Sequence, residues 1–332
     1  MRSQQTVKVA VLRSGEPAMI HVGNPAFKTL GISLKSSQYY IDPKMDLTPK
    51  MNPVARLISL MTLSGCCLVL SGKIALAEAT LQTLNPSISQ AIDQENTHFS
   101  EHFEDLDIEG SIVIFDLNQN LIYQHNPDRN DTSFLPASTF KIPNSLIALE
   151  TQVIENDVSV LTWDGIVRSY PVWNQDLNIR LAFEFSAVWF YQVLARRIGH
   201  ERMQEWVASI DYGNGNIGSA EEIDSFWLTG DLRITPQEQI QFLQRLYTDE
   251  LPFSESTIAT VKDIMIVEQT PDYTLRAKTG WALAGNVGWY VGYLEQNDNV
   301  YFFATNIDIQ DESDLPARQA ITRRCLTSLN LL

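Results

Sequence analysis

Ser138 and Lys141 stand one helical turn apart in the stretch Ser138-Thr139-Phe140-Lys141. A helix over Lys141–Glu150 would put both side chains on one face. A serine hydroxyl is a weak nucleophile near neutral pH and needs a base beside it. A lysine can be that base only once its proton is gone, which burial or another chemical device must arrange. The spacing therefore points to covalent serine chemistry that needs no histidine. A single S-x-x-K is close to a chance occurrence in 332 residues, so its neighbours have to carry the reading. Three further motifs follow in order: Ser186-Ala187-Val188, Tyr212-Gly213-Asn214 and Lys278-Thr279-Gly280. Gly213 and Asn214 are also turn formers, so the second of these reads equally as a structural turn. Ser186 is also a good helix-cap residue. Other hydrolase chemistries are poorly served. There is no G-x-S-x-G elbow. His21, His98, His102, His125 and His200 form no metal-ligating cluster. His98 and His102 are four apart but lack the intervening glutamate of H-E-x-x-H, and read as helix-surface residues. No metal is implied.

The elements that must position these residues follow from periodicity. Thr80–His102 reads as a helix from Leu81, Leu84, Ile88, Ala91 and Ile92. Ser111–Phe115 and Leu121–Tyr123 read as strands about the turn Asn118-Gln119-Asn120. Asn126–Ser133 reads as a polar loop. Residues 151–265 carry mostly helical patterns, such as Glu201–Ile210 and Pro236–Tyr247, the latter entered through Thr235-Pro236 with Glu238 following. Strands return at Tyr273–Lys278, Val287–Glu295 and Val300–Ile307, with a turn at Gln296–Asn299, and Leu315–Leu329 reads as a closing helix. Strands at both ends and helices between predict an α+β fold: an antiparallel sheet from both termini, flanked by helices, with an inserted, mostly helical subdomain.

With 44% apolar residues, a sizeable core can form. The formal charge of −16 argues against a nucleic-acid partner. Residues 1–77 hold nine Lys/Arg and three Asp/Glu, leaving 15 basic and 37 acidic residues after Ala77. Met51–Ala77 reads as a secretory signal peptide: a short n-region with Arg56, an apolar run Leu57–Leu70, and a small-x-small site at Ala75-Leu76-Ala77. Cleavage there leaves no stable membrane span in the mature form and places the protein in the periplasm or outside the cell. Leu63-Ser64-Gly65-Cys66 offers a lipoprotein at Cys66 as the alternative. A signal peptide should open a protein, so 1–50 reads as an upstream extension and Met51 as the initiator, with 78–332 the catalytic domain. Only Cys325 of the three cysteines would survive maturation, which leaves no intramolecular disulfide.

The S-x-x-K and K-T-G pair in this order is the signature of penicillin-recognising serine enzymes. From about residue 98 the chain resembles one branch of them, the class D (oxacillinase-type) β-lactamases. The resemblance rests on Pro136-Ala137-Ser138-Thr139-Phe140-Lys141-Ile142-Pro143-Asn144, Phe226-Trp227-Leu228, Arg276-Ala277-Lys278-Thr279-Gly280-Trp281 and Asp311–Arg318. It implies a β-lactamase/transpeptidase-like fold and hydrolysis of β-lactams through an acyl-enzyme on Ser138. It implies that Lys141 carries carbon dioxide as N6-carboxylysine, which would exchange a cation for an anionic base. No other cofactor is implied. Trp227 would hold that group through its indole N–H, and Val188 and Leu228 would flank it and control water. Ser186 would relay a proton with Lys278 in support. Thr279 and Arg318 would bind the substrate carboxylate, and the backbone N–H groups of Ser138 and Trp281 would form an oxyanion hole. Tyr170 and Trp173 match positions that line the cleft. The loop Ala282–Asn286 is short and uncharged; in this family it influences carbapenem hydrolysis, so substrate range stays open. The oligomeric state is left as monomer or homodimer. A β-lactam sensor or penicillin-binding module that acylates without turning over carries similar motifs. Such sensors normally sit behind several membrane segments, whereas this chain has one candidate, which reads as cleavable.

Overall fold

The computed structural model describes residues 98–332, with the backbone of short strands at Met19–Ile20, Leu30–Gly31, Ser33–Lys35, Gln38–Tyr40 and Ile92–Glu95. The signal-peptide reading of Met51–Ala77, the Cys66 alternative and the Met51 start lie outside the described residues. The chain divides into two compact units, Met1–Thr80 and Leu81–Leu332. In the first, Met19–Ile20 pairs with Leu30–Gly31 and Ser33–Lys35 with Gln38–Tyr40, both antiparallel.

The second unit is built on a seven-stranded sheet. In chain order its strands are β1 (Ile92–Glu95), β2 (Gly110–Asp116), β3 (Leu121–His125), β4 (Ile266–Gln269), β5 (Tyr273–Ala282), β6 (Val287–Gln296) and β7 (Asn299–Asp308). They lie in the order β1-β3-β2-β7-β6-β5-β4. All pairs are antiparallel except β1 with β3. Both chain ends of the unit thus meet at the centre, where β2 pairs with β7. Every residue of β2 is buried because both faces of the sheet are covered. Val113 and Phe115 enter one apolar core, Ile112 and Ile114 the other, as the period of two requires. One face carries α1 (His98–Glu104) and α9 (Ala317–Ser328). The other carries helices inserted between β3 and β4, among them α3 (Lys141–Glu150), α4 (Ile179–Glu184), α5 (Val188–Ile198), α6 (His200–Ser209), α7 (Pro236–Tyr247) and α8 (Glu255–Ile264). A short α2 (Pro127–Asn130) precedes them.

Local signals set several boundaries. Thr235 and Glu238 form a reciprocal capping box and Pro236 fills the first position of α7, whose Ile240, Leu243 and Leu246 are buried. Asn297 and Asp298 both have positive φ, 52° and 58°, and close β6 onto β7 as a two-residue turn. Three elements depart from the sequence reading. Within Thr80–His102, Ile92–Glu95 is a strand that pairs with β3, and the helix starts at His98. Pairing satisfies the open edge of β3, while Phe99 and Phe103, four apart, bury the helix face. The loop Asn126–Ser133 contains α2, started by Asn126 Oδ1 accepting from Arg129 N. β4 was not legible because its residues alternate between half-buried and exposed at the sheet edge. Among the described residues no helix is long and apolar enough to cross a membrane. Cys325 is buried on α9, and burial pushes its thiol pKa up, as fits an inert core thiol.

Candidate active site

Ser138 lies in a one-turn 3-10 helix, Ala137–Phe140, that runs directly into α3. The turn is clamped from three directions. Ala137 N donates to Trp227 O at 2.9 Å, Thr139 Oγ1 donates to Pro136 O at 2.8 Å, and Gln239 Nε2 of α7 donates to Thr139 Oγ1 at 2.9 Å. Ala137 has φ 49°, a left-handed conformation that a residue with a Cβ adopts at a cost of about 1–2 kcal/mol. The glycine of Lys278-Thr279-Gly280 now has a physical reason. A Cβ at Gly280 would stand 3.2 Å from Pro136 O and 3.2 Å from Thr139 Cγ2, so glycine lets β5 close on the nucleophile turn. Trp289 Nε1 of β6 donates to Leu135 O at 2.9 Å and fixes the approach to that turn.

Lys141 Nζ donates to Ser138 Oγ at 2.8 Å. The lysine is fully buried. Desolvation, and then the charge of Lys278, hold its pKa well below the ordinary 10.5, and no carboxylate among the described residues opposes them. Trp227 is also fully buried and stacks on Phe140, next in sequence to Lys141, with centroids 5.6 Å apart. Its indole N–H has no hydrogen-bond partner among the described residues. A buried donor without a partner costs about 1–3 kcal/mol. A buried donor-only group without a partner, its ring stacked on the residue next to Lys141, suits an acceptor-rich anion, so these residues fit a carboxylated lysine.

In front of this pair lies a cavity of about 480 Å³. It brings together Ser138, Tyr170, Trp173, Ser186, Val188, Leu228, Thr279, Trp281 and Arg318, all named from sequence. Phe185, Thr229, Leu283 and Leu315 also line it and were missed; Phe185 and Thr229 adjoin Ser186 and Leu228, which was the available clue. Ser186 sits in a turn with φ 56°, and the N-cap of α5 is Ala187, so Ser186 is not a helix cap. Its turn is braced by Trp173, whose Nε1 donates to Phe185 O at 2.8 Å, while Trp189 Nε1 donates to Trp173 O at 2.9 Å. Arg318 donates from Nη1 to Gly280 O and from Nε to Leu315 O, both at 2.6 Å. Burial lowers its pKa to about 10, so it stays cationic at neutral pH. Gly288 leaves room for its arm, since a Cβ there would fall 2.8 Å from Arg318 Cδ.

Three of the predicted residues do not line this cavity: Lys141, Trp227 and Lys278 stand behind it. Lys278 instead lines a neighbouring cavity of about 470 Å³ and shares Thr279 with the first. Its Nζ donates to Thr279 O at 3.1 Å and lies 5.4 Å from the Phe183 ring centroid. Burial, and then the charge of Arg318, lower its pKa from 10.5 to about 7. Below about pH 7 both folded and unfolded chains hold that proton, and the cost of burying the ammonium is fully present. Between about 7 and 10.5 only the unfolded chain holds it, so stability rises with pH. Lys278→Met is therefore expected to flatten the rise of Tm across that interval, with Lys141 leaving a residual slope of the same sign. An unchanged slope in thermal melts would show that the Lys278 amine is not its source.

Tyr212-Gly213-Asn214 serves the scaffold. Tyr212 packs edge-on against Phe140 and its hydroxyl reaches Thr139 Oγ1 at 3.4 Å. Asn214 ties its loop to residues 231–233: its N donates to Arg233 O, its Nδ2 to Asp231 O, and its Oδ1 accepts from Arg233 N. Gly213 has φ 57°, and a Cβ there would stand 2.0 Å from Arg233 O. Gly213→Ala is expected to lose at least about 1–2 kcal/mol in urea unfolding. Wild-type stability in that variant would refute the close approach.

A hydroxyl and a buried amine at hydrogen-bond distance, at the floor of a largely apolar cleft, define a serine acyl-transfer enzyme. The chain matches the family model for the penicillin-binding protein transpeptidase domain over residues 110–327. It is 43% identical to β-lactamase OXA-48 of Klebsiella pneumoniae over 235 residues, 70% of this chain and 88% of that protein. It is 39% identical to β-lactamase OXA-5 of Pseudomonas aeruginosa over 251 residues, 74% of this chain and 93% of that one. Among solved structures, the class D β-lactamase YbXI from Nostoc is 61% identical with a TM-score of 0.70, covering 71% of this chain and all of that one. The class D enzyme FUS-1 (OXA-85) from Fusobacterium nucleatum is 41% identical, also at a TM-score of 0.70, covering 72% of this chain and all of that one. The chain belongs to the class D β-lactamases, within the penicillin-binding transpeptidase family.

Proposed function

We propose that this protein hydrolyses the β-lactam amide bond through an acyl-enzyme on Ser138, with Lys141 carboxylated as the general base, and so gives β-lactam resistance. The observation that carries the reading is the fully buried Lys141 amine 2.8 Å from Ser138 Oγ, and the buried Trp227 indole N–H without a partner among the described residues supports it. Ser138 Oγ forms a bond to the lactam carbonyl carbon, and the carbon–nitrogen bond breaks. Carboxylated, Lys141 supplies an anionic oxygen that accepts the Ser138 proton and later one from water. Trp227 donates to that anion. Val188 and Leu228, at the wall of the cleft, limit the water that reaches it. Ser186 passes a proton to the departing nitrogen, with the Lys278 amine in support behind Thr279. Thr279 and Arg318 receive the substrate carboxylate, and the backbone N–H groups of Ser138 and Trp281 receive the developing oxyanion. Tyr170 and Trp173 contact the substituent that projects along the cleft. No metal takes part in this scheme. The mature protein acts in the periplasm or outside the cell after cleavage near Ala77.

A chromogenic cephalosporin, given to the mature protein with and without bicarbonate, tests the scheme. Many turnovers per enzyme, faster with bicarbonate, are expected. One equivalent of product and a lasting adduct on Ser138 by mass spectrometry would instead identify a β-lactam sensor.

A further inference from the structure

The ring of Tyr191, on α5, faces the Lys141 side chain: Nζ lies 5.2 Å from the ring centroid. Both residues are fully buried, as is Ser145. The ring is not free to turn away. Ser145 Oγ donates its single proton to Lys141 O at 2.7 Å, so in the 2.9 Å contact between the two hydroxyls Tyr191 must be the donor. Tyr191 is thereby anchored to α3, the helix that carries the lysine. Burial raises the phenol pKa, so this donor stays neutral.

We propose that Tyr191 sets the balance between the ammonium and carboxylated forms of Lys141 by holding the negative face of its ring toward Nζ. The inference rests on the carboxylation reading above and adds a positioning residue to it. Carboxylation joins the lone pair of the neutral amine to the carbon of carbon dioxide. An amine proton leaves for solvent, and the cationic form must lose one more proton first. An aromatic face attracts the cation and disfavours both the neutral amine and the anion that replaces it. The Trp227 N–H acts in the opposite direction, since a donor favours the anion. The other groups set against Lys141 are the Ser138 hydroxyl and, from β5, Lys278, the charged neighbour, which disfavours the ammonium. Tyr191 thus favours the resting cation, as does the Ser138 oxygen that accepts from Nζ, and it raises the carbon dioxide needed for carboxylation.

The test is a titration of the full-length mature protein with isotope-labelled bicarbonate at fixed pH, following the carbamate resonance by carbon NMR. Tyr191→Leu is expected to reach half-saturation at about thirtyfold less bicarbonate than the wild type, the size of a desolvated cation–π contact. Replacing the Tyr191 ring with a pentafluorophenyl ring, which reverses the charge of the face at nearly constant volume, should shift half-saturation the same way. This second variant decides the matter if the leucine variant does not fold. Tyr191→Phe keeps the face and should titrate near the wild type. Equal half-saturation in the wild-type and pentafluorophenyl proteins overturns the role of the ring. A wild-type protein with no carbamate resonance at any bicarbonate concentration defeats the carboxylation reading itself, a different result.

Discussion

Lys141→Met is expected to cut β-lactam turnover by about 10³-fold while raising the melting temperature in buffer free of carbon dioxide. The first effect is the loss of the base that accepts the Ser138 proton, a role worth typically about 10²–10⁴ in rate. The second follows from burial. The lysine side chain is fully enclosed and has no carboxylate partner among the described residues, so the folded protein bears the cost of a desolvated ammonium or of a shifted pKa. Methionine has similar volume and no charge. Replacing buried ions by apolar groups of matched shape commonly stabilises by about 1–4 kcal/mol. The pairing of lost activity with gained stability separates a catalytic role from a structural one. Near wild-type turnover would refute the assigned base. A lower melting temperature would mean that the amine makes a favourable contact outweighing its desolvation.

Trp227→Phe is expected to raise the bicarbonate needed for half-maximal activity by roughly 10- to 100-fold, with activity restored at high bicarbonate. A hydrogen bond to a charged acceptor contributes about 1.5–3 kcal/mol, which corresponds to that range. The unloaded protein should hold its stability, because phenylalanine keeps a ring to stack on Phe140 and removes a donor that has no partner. An activity loss that bicarbonate leaves untouched would count against an anion on Lys141. A large fall in stability would point to packing as the sole role of the indole.

The sequence by itself determined the parts of this protein governed by near neighbours along the chain. Pro236–Tyr247 is marked by its own capping box and proline, and its bounds are unchanged in the structure. The Gln296–Asn299 turn is marked by two residues that tolerate positive φ. Apolar or alternating residues marked β6 and β7, whose ladder runs one residue further at the turn because Gln296 pairs with Asn299. The order of Ser138-x-x-Lys141, Ser186 and Lys278-Thr279-Gly280 carried the resemblance to class D β-lactamases, and that resemblance named most of the residues that line the cleft.

Tertiary structure alone decided the rest. Ile92–Glu95 reads as the tail of a helix until the open edge of β3, more than two dozen residues onward, is there to pair with it. Gly280 and Gly288 are required by backbones and side chains that arrive from distant segments, so nothing local declares them; Gly213 is legible as a turn former, but its close approach to Arg233 is not. Lys278 belongs to a short motif, but that it is buried, lines a second cavity and acts by its charge on Lys141 comes from the fold. Serine beside lysine, one turn apart, can be read from four letters. That the lysine is enclosed, has no carboxylate partner among the described residues, and meets the face of Tyr191 depends on groups far apart in the chain. Desolvation is a property of the assembled core, and it decides which form of the amine stands beside Ser138.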